Sequence, residues 1–152
     1  MRRVLVTGLS GTGKSSALEA LARRGFRVVD TDEPGWSEWA AEGDRRWLEG
    51  PIGALLAEDG EGTLFVSGCV SNQGAFYDRF DVVVLLSAPA EVLLRRIEGR
   101  TTNEYGKAPA ERTRILGELE VVEPRLRATC TVEVDASRPL HEVVDALVAV
   151  GC

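Results

Sequence analysis

Lysine is scarce in this chain. Of 18 basic residues only Lys14 and Lys107 are lysines, and arginine supplies the rest. An ammonium is a compact point charge and a guanidinium a planar fork, so a lysine retained against that background marks a position to question. Cysteine is scarce as well. Cys69, Cys130 and Cys152 are scattered, odd in number and without paired spacing, which argues against a disulfide framework or a zinc site and for a reducing compartment. Histidine is limited to His141, at the start of an expected helix, where a surface position is the simpler reading than catalysis. No apolar run approaches a membrane span, and only seven residues precede Gly8, too few for a secretory apolar region. Excess positive charge is also missing. The formal net charge of -6 makes nucleic acid a poor default partner, since binding its backbone needs a basic face.

What remains is the composition of one ordinary globular unit, with 152 residues, 44% hydrophobic and 28% charged. Val4-Leu5-Val6 is a short apolar run that suits a buried parallel strand. A glycine-rich loop, Gly8 to Ser15, follows it. Ala17, Leu18 and Leu21 then recur at helical spacing, closed by Gly25. Further strands are expected at 26–29, 63–66, 81–86 and 131–134. Helices are expected from Pro89 to Gly99, from Glu111 to Arg127 with a possible break before Pro124, and from Pro139 to Val150. Two short helices are expected between Trp36 and Glu58. Residues 100–110 carry no apolar period and read as a mobile lid.

Strands alternating with helices imply an α/β fold, a three-layer sandwich in which a five-stranded parallel sheet has helices on both faces. The expected organisation is a single domain over 1–152, with the lid near 100–110 and an acceptor-side helical region near 33–58. Ligands of such sheets bind beyond the carboxyl ends of the strands. Gly8, Asp30 and Ser67-Gly68-Cys69 fall at those ends.

Gly8-Leu9-Ser10-Gly11-Thr12-Gly13-Lys14-Ser15 matches G-x-x-x-x-G-K-[ST] in full. The physical content of that P-loop pattern is backbone N–H groups turned around phosphates, with a helix N-terminus behind them. Gly8, Ser10, Gly11, Thr12, Gly13, Lys14, Ser15 and Ser16 are therefore the expected nucleotide-binding set. Lys14 would reach the β- and γ-phosphates, and the Ser15 hydroxyl would ligate Mg²⁺. The motif does not by itself separate kinases from other NTPases.

Asp30 and Asp32 stand two apart at a strand end, so their side chains point the same way. Asp30 is read as the metal partner, with Ser15. Asp32 is read as the group that orients and deprotonates an acceptor hydroxyl. The same residues also occur in plain polar turns. No acidic residue ends the third strand, which leaves this pair as the best metal partners.

With these motifs in place, the chain resembles small P-loop kinases related to shikimate kinase and gluconate kinase over nearly its whole element order. Asp30-Thr31-Asp32 is similar to the Asp-x-Asp of shikimate kinases, whose first acid supports Mg²⁺ and whose second holds the acceptor hydroxyl. Arg100 and Lys107, seven apart, resemble the two basic residues that bracket that family's lid, the first over adenine and the second on the transferring phosphate. Val134-Asp135-Ala136-Ser137 with Pro139 resembles the loop that borders adenine, which implies nucleotide contacts at Ser137 and Pro139. Asp44-Arg45-Arg46-Trp47-Leu48 is similar to a stretch of gluconate kinases. Ser67-Gly68-Cys69 stands where shikimate kinases place a triple glycine beside substrate. Val121-Val122-Glu123 stands where they carry a carboxylate-binding arginine.

The expected activity is transfer of the γ-phosphate of Mg·ATP to a hydroxyl of a small metabolite. Lys14, Asp32 and Lys107 are the catalytic candidates, and Asp32, Arg45, Gly68 and Cys69 the acceptor candidates. Arg45, Arg46 and Arg79 would suit an anionic acceptor, as in a nucleoside monophosphate kinase, or they simply decorate the surface. A non-catalytic nucleotide-responsive module is the third reading. Trp36, Trp39 and Trp47 either wall the acceptor pocket or form the core of a small flap. The expected setting is cytoplasmic, with ATP or ADP and a small-molecule acceptor as partners. Neither nucleic acid nor membrane is expected as a partner, and the chain is expected to be a monomer or weak homodimer.

Overall fold

A computed structural model of the chain describes residues 1–40, 44–101 and 103–152. Ala41, Glu42 and Gly43 of the expected acceptor-side region, and Thr102 of the expected lid, lie outside the described residues. The chain runs β1 (Arg2–Thr7), α1 (Lys14–Arg23), β2 (Arg27–Asp30), β3 (Ser37–Trp39), β4 (Arg45–Trp47), α2 (Glu49–Leu56) and β5 (Thr63–Ser67). A 3₁₀ helix over Gln73–Arg79 follows. The remaining elements are β6 (Val82–Ser87), α3 (Ala90–Gly99), α4 (Pro109–Thr129), β7 (Val132–Asp135) and α5 (Leu140–Gly151).

The main sheet has the order β2-β5-β1-β6-β7, and every pairing in it is parallel. Period-two alternation sorts its side chains. Val4 and Val6 of β1, Phe65 of β5, and Val82, Val84 and Leu86 of β6 enter a core with Leu18 and Leu21 of α1 and Val144 and Leu147 of α5. Leu5, Leu64, Val66 and Val83 face the other way, onto Ile52 and Leu55 of α2, Phe76 of the 3₁₀ segment and Phe80 just after it. Both faces are covered, as the near-continuous apolar strands require. The order also places β1 at the centre, so the loop that leaves it emerges where the strand sequence reverses.

The acceptor-side region departs from expectation. Instead of two helices over 36–58 there is a two-stranded antiparallel hairpin, β3 with β4, and then the single helix α2. Trp36 and Trp39 mimic a helical i, i+3 spacing. The actual pairing sets Ser37 opposite Trp47 and Trp39 opposite Arg45. The hairpin is tied down by tertiary contacts that a local pattern does not carry. The Trp47 N–H donates to Asn72 Oδ1 at 2.8 Å and Asn72 Nδ2 returns a bond to the Trp47 carbonyl at 3.0 Å. The Ser71 N–H donates to the Arg45 carbonyl at 3.0 Å.

Helix α4 likewise runs through Pro124 without the expected break. Proline removes one intrahelical bond. Packing of Leu126 and the Arg127–Glu123 pair at 2.9 Å hold the turns on either side.

Candidate functional site

The glycine loop between β1 and α1 is shaped by positions where no side chain fits. Gly8 has φ 152° and Gly11 φ 88°. A Cβ on Gly8 would lie 2.5 Å from the Leu86 carbonyl oxygen, and one on Gly11 would lie 2.8 Å from the Leu93 carbonyl oxygen. Gly13, with φ 87°, is the N-cap residue of α1. Thr12 is buried and its hydroxyl donates to the Leu9 carbonyl at 2.8 Å, closing the loop on itself. Backbone that approaches its neighbours this closely, with a helix N-terminus behind it, is the construction of a phosphate cradle. The Lys14 ammonium arches over its own loop and donates to the carbonyls of Gly8 at 2.6 Å and Leu9 at 3.1 Å.

One bond joins this loop to the end of β2. The Ser15 hydroxyl donates to Asp30 Oδ2 at 2.8 Å, while Asp30 Oδ1 accepts the Asp32 N–H at 2.9 Å. Hydroxyl and carboxylate together are hard oxygen donors of the kind Mg²⁺ takes when it keeps waters and substrate phosphates as its remaining ligands. Among the described residues no three His, Cys, Asp or Glu side chains converge on a metal position. The cradle and this donor pair fit a magnesium–nucleotide group.

Ser10, Gly11, Gly13, Lys14, Ser15 and Ser16 line a cleft of about 340 Å³ together with Asp32, Arg96, Arg100 and Asn103. The second carboxylate is thus brought to the same space as the phosphate loop. A 520 Å³ depression between α4 and β7 is larger, but its charges, Arg127 with Glu123 and Glu133, are already paired. In the smaller cleft the glycine cradle, a cation and a carboxylate meet. Arg96 was missed in the sequence. It stands four residues before Arg100, so the two share one face at the end of α3, and its Nη1 lies 3.5 Å from the Gly11 carbonyl.

The acceptor candidates lie on the Asp32 side. Thr31 is buried; its hydroxyl donates to the Ser67 carbonyl at 2.7 Å and accepts the Trp47 indole N–H at 2.9 Å. Gly68 sits against both. A Cβ there would overlap the Thr31 hydroxyl and come within 3.1 Å of the Trp47 ring. Cys69 is next in the chain. Burial pushes its thiol up from the ordinary range, against the pull of the Lys14 charge and the Thr7 hydrogen bond, which keeps it a neutral thiol at neutral pH rather than a nucleophile. Arg45 donates from Nη1 to Asp32 Oδ1 and from Nη2 to the Asp32 carbonyl, both at 3.2 Å, and from Nε to the Ser37 hydroxyl at 2.8 Å.

The three arginines considered for an anionic acceptor do not converge. Arg46 pairs with Asp44 at 3.7 Å, and Arg79 donates to the Gly53 carbonyl at 3.1 Å.

The lid candidates divide. Arg100 lines the cleft, donates to the carbonyls of Asn103 and Tyr105, and is lowered in pKa first by burial. Lys107 is not among the residues lining the cleft. Its ammonium donates to the Arg100 carbonyl at 2.6 Å and to Glu104 at 3.2 Å. The segment also has an apolar anchor that its sequence conceals. Gly106, with φ 93°, is buried, and a Cβ there would lie 2.8 Å from both Ile97 and Ile115. Ser137 and Pro139 are exposed at the start of α5 and are not among the residues lining the 340 Å³ cleft. Ser137 instead binds Asp135 through both its N–H, at 2.9 Å, and its hydroxyl.

Comparison with known proteins gives three findings. A family model described as an AAA domain matches residues 4–117. A nucleotide-binding protein of Sorangium cellulosum is 38% identical over 144 residues; the alignment covers 90% of this chain, which spans only 40% of that relative's length. Among solved structures, a gluconokinase from Sinorhizobium meliloti superposes with a TM-score of 0.67 at 26% identity, covering 97% of this chain and 90% of that one. A shikimate kinase from Acinetobacter baumannii superposes with a TM-score of 0.69 at 16% identity, covering 99% and 92%; that likeness is one of fold. The kinase-like parallel sheet expected from the sequence is shared by both. Among the described residues no helix is long and apolar enough to cross a membrane.

Proposed function

We propose that this chain, which belongs to the AAA domain family of P-loop proteins, is a phosphotransferase that moves the γ-phosphate of Mg·ATP to a hydroxyl of a small metabolite. The observation that carries the reading is the presence of Asp32 in the cleft of Lys14 and Ser15. A module that only binds nucleotide needs the cradle, whereas transfer to a hydroxyl also needs a carboxylate beside it. The gluconokinase and the shikimate kinase that share the fold are kinases of small metabolites, which supports the same class.

The roles follow from position. Backbone N–H groups of residues 8–16 hold the phosphates, and Lys14 exchanges its loop carbonyls for phosphate oxygens. Ser15 and Asp30 would hold the metal ion, which when bound would neutralise charge on the phosphates. Asp32 accepts the hydrogen bond of the acceptor hydroxyl and takes its proton as the new O–P bond forms and the bond to ADP breaks. Arg45 keeps Asp32 in place from the hairpin side. Arg100 and Arg96 meet the nucleotide from the opposite wall. Lys107 swings from the Arg100 carbonyl toward the charge that develops on the transferring group. Gly68 and Cys69 border the acceptor, and Ser137 with Pro139 the adenine. A single cytoplasmic domain, monomeric or weakly dimeric, completes the proposal.

Asp32→Asn tests it. The amide keeps the shape and loses basicity, so transfer should fall by roughly two to four orders of magnitude while Mg·ATP affinity is retained. Normal transfer by that variant would reject a hydroxyl acceptor served by Asp32. Nucleotide binding with no transfer to any metabolite would favour a regulatory module instead.

A further inference from the structure

The three tryptophans of the acceptor side have separate positions. Trp47 is 2% exposed and belongs to the core under α2, and Trp36 packs against the same cluster. Trp39 does neither. It is 67% exposed, at the end of β3, directly opposite Arg45 on β4. Solitary exposed apolar residues are common and need no explanation. Trp39 differs in being fixed to the site. The Arg45 guanidinium lies over its ring, with Cζ 5.6 Å from the centroid, in the range of a cation–π contact. That guanidinium is held in turn by Asp32 and by the Ser37 hydroxyl. The hairpin beneath it is pinned through Asn72 and Ser71. The indole therefore rests on a clamped cation while the residue as a whole stays largely exposed. The ring lies within roughly 10 Å of the Asp32 carboxylate, the reach of one guanidinium between them.

We propose that Trp39 is a stacking platform for the acceptor, and that the acceptor is a hydroxyl-bearing molecule with a flat aromatic ring, of the nucleoside class. The inference rests on the kinase reading above and narrows its substrate. A hydroxyl on a short sugar arm meets Asp32, and the ring lies on the open face of Trp39. A flat π-system gains from an indole face without any hydrogen-bond partner. The geometry also explains why a tryptophan is kept in water beside Arg45: the cation positions the ring while leaving its outer surface for the ligand. A ring-free polyol acid would use Asp32 and Arg45 and leave Trp39 unused.

The test is fluorescence and label transfer on the intact chain, saturated with Mg·ADP or supplied with labelled Mg·ATP respectively. The probes are the ribonucleosides and deoxynucleosides, with gluconate as the ring-free polyol acid. At least one nucleoside should quench tryptophan emission saturably, and Trp39→Phe should remove that quench while keeping most affinity. Trp39→Ala should weaken that nucleoside by about five- to a hundred-fold, the size of a lost base–aromatic stack, with the melting temperature and the Mg·ATP affinity unchanged. Three results would overturn the inference: no nucleoside quenching at millimolar concentration, nucleoside affinity indifferent to Trp39→Ala, or transfer to gluconate that is indifferent to it. The last of these leaves the kinase reading standing. Trp39-dependent nucleoside binding without any transfer has the opposite effect, sustaining the platform and rejecting the kinase.

Discussion

The Ser15 hydroxyl donates to Asp30 Oδ2 at 2.8 Å, linking the first turn of α1 to the carboxyl end of β2. Two residues 15 apart in sequence thus form a preset pair of oxygen donors beside the phosphate cradle. Magnesium should therefore strengthen ATP binding in the wild type, and Ser15→Ala and Asp30→Asn should each remove most of that gain, about ten-fold or more in affinity, the size of a lost charge-assisted contact. Titration of ATP with and without Mg²⁺ reads it directly. An unaltered magnesium effect in both variants would show that the ion is held elsewhere.

The lid candidate gives a kinetic expectation. Lys107 is held by the Arg100 carbonyl and by Glu104 rather than by the phosphate loop, so its contribution to transfer requires it to leave those partners. Lys107→Ala should lower kcat by about ten-fold or more and change ATP affinity little, since the lost interaction forms only as charge develops. Equal losses in both, or in neither, would return Lys107 to a purely structural role in its loop.

How much of this was legible in the sequence depends on the range of the interactions. The phosphate loop is local: eight consecutive residues carry its glycines, its lysine and its hydroxyl, and Ser10, Gly11, Gly13, Lys14 and Ser15 among them line one cleft. The five strands of the main sheet were legible for the same reason, since each carries its own short apolar or alternating pattern. The hairpin was not. Ser37–Trp39 and Arg45–Trp47 are three-residue strands, too short to show alternation, and their hold on the fold comes through Asn72 and Ser71, some 25 residues away. The packing of Gly106 leaves no trace in the local sequence because its apolar partners, Ile97 and Ile115, lie on the two flanking helices. Arg96 left a faint trace in its spacing from Arg100, hidden among many other arginines.

Gly68 offers a test of the packing behind the site. A methyl group there would strike the Thr31 hydroxyl, which also serves Trp47 and Ser67. Gly68→Ala should destabilise the fold by about 1–3 kcal/mol, the usual penalty of overpacking, and displace the hairpin that carries Arg45. Urea denaturation measures the first effect and acceptor KM the second. A variant of wild-type stability would mean that the Thr31–Trp47 bond yields easily.

Acid should weaken the edge of the sheet. Hydrogen bonds from Arg127, then from Ser87, hold the Glu133 carboxyl below its ordinary range. A carboxylate with a depressed folded-state pKa adds stability above its unfolded pKa and loses it as pH falls through the folded one. Between pH 7 and pH 5 the Glu133 contribution should stay constant, and it should decline below about pH 4. The pair is largely exposed, so the effect is modest. Glu133→Gln should flatten that part of the urea midpoint against pH profile; an unchanged acid slope would show that Glu133 is not its source.

The central claim is transfer to a hydroxyl, and its most direct measurement is the fate of label from [γ-³²P]ATP with Mg²⁺ across a panel of hydroxylated metabolites that includes nucleosides. The expected result is one acceptor converted to a labelled phosphomonoester by the wild type, and none by Lys14→Ala, in which the cation over the phosphate loop is gone. Saturable Mg·ATP binding with no labelled acceptor anywhere in the panel, or labelling that persists undiminished in Lys14→Ala, would contradict it.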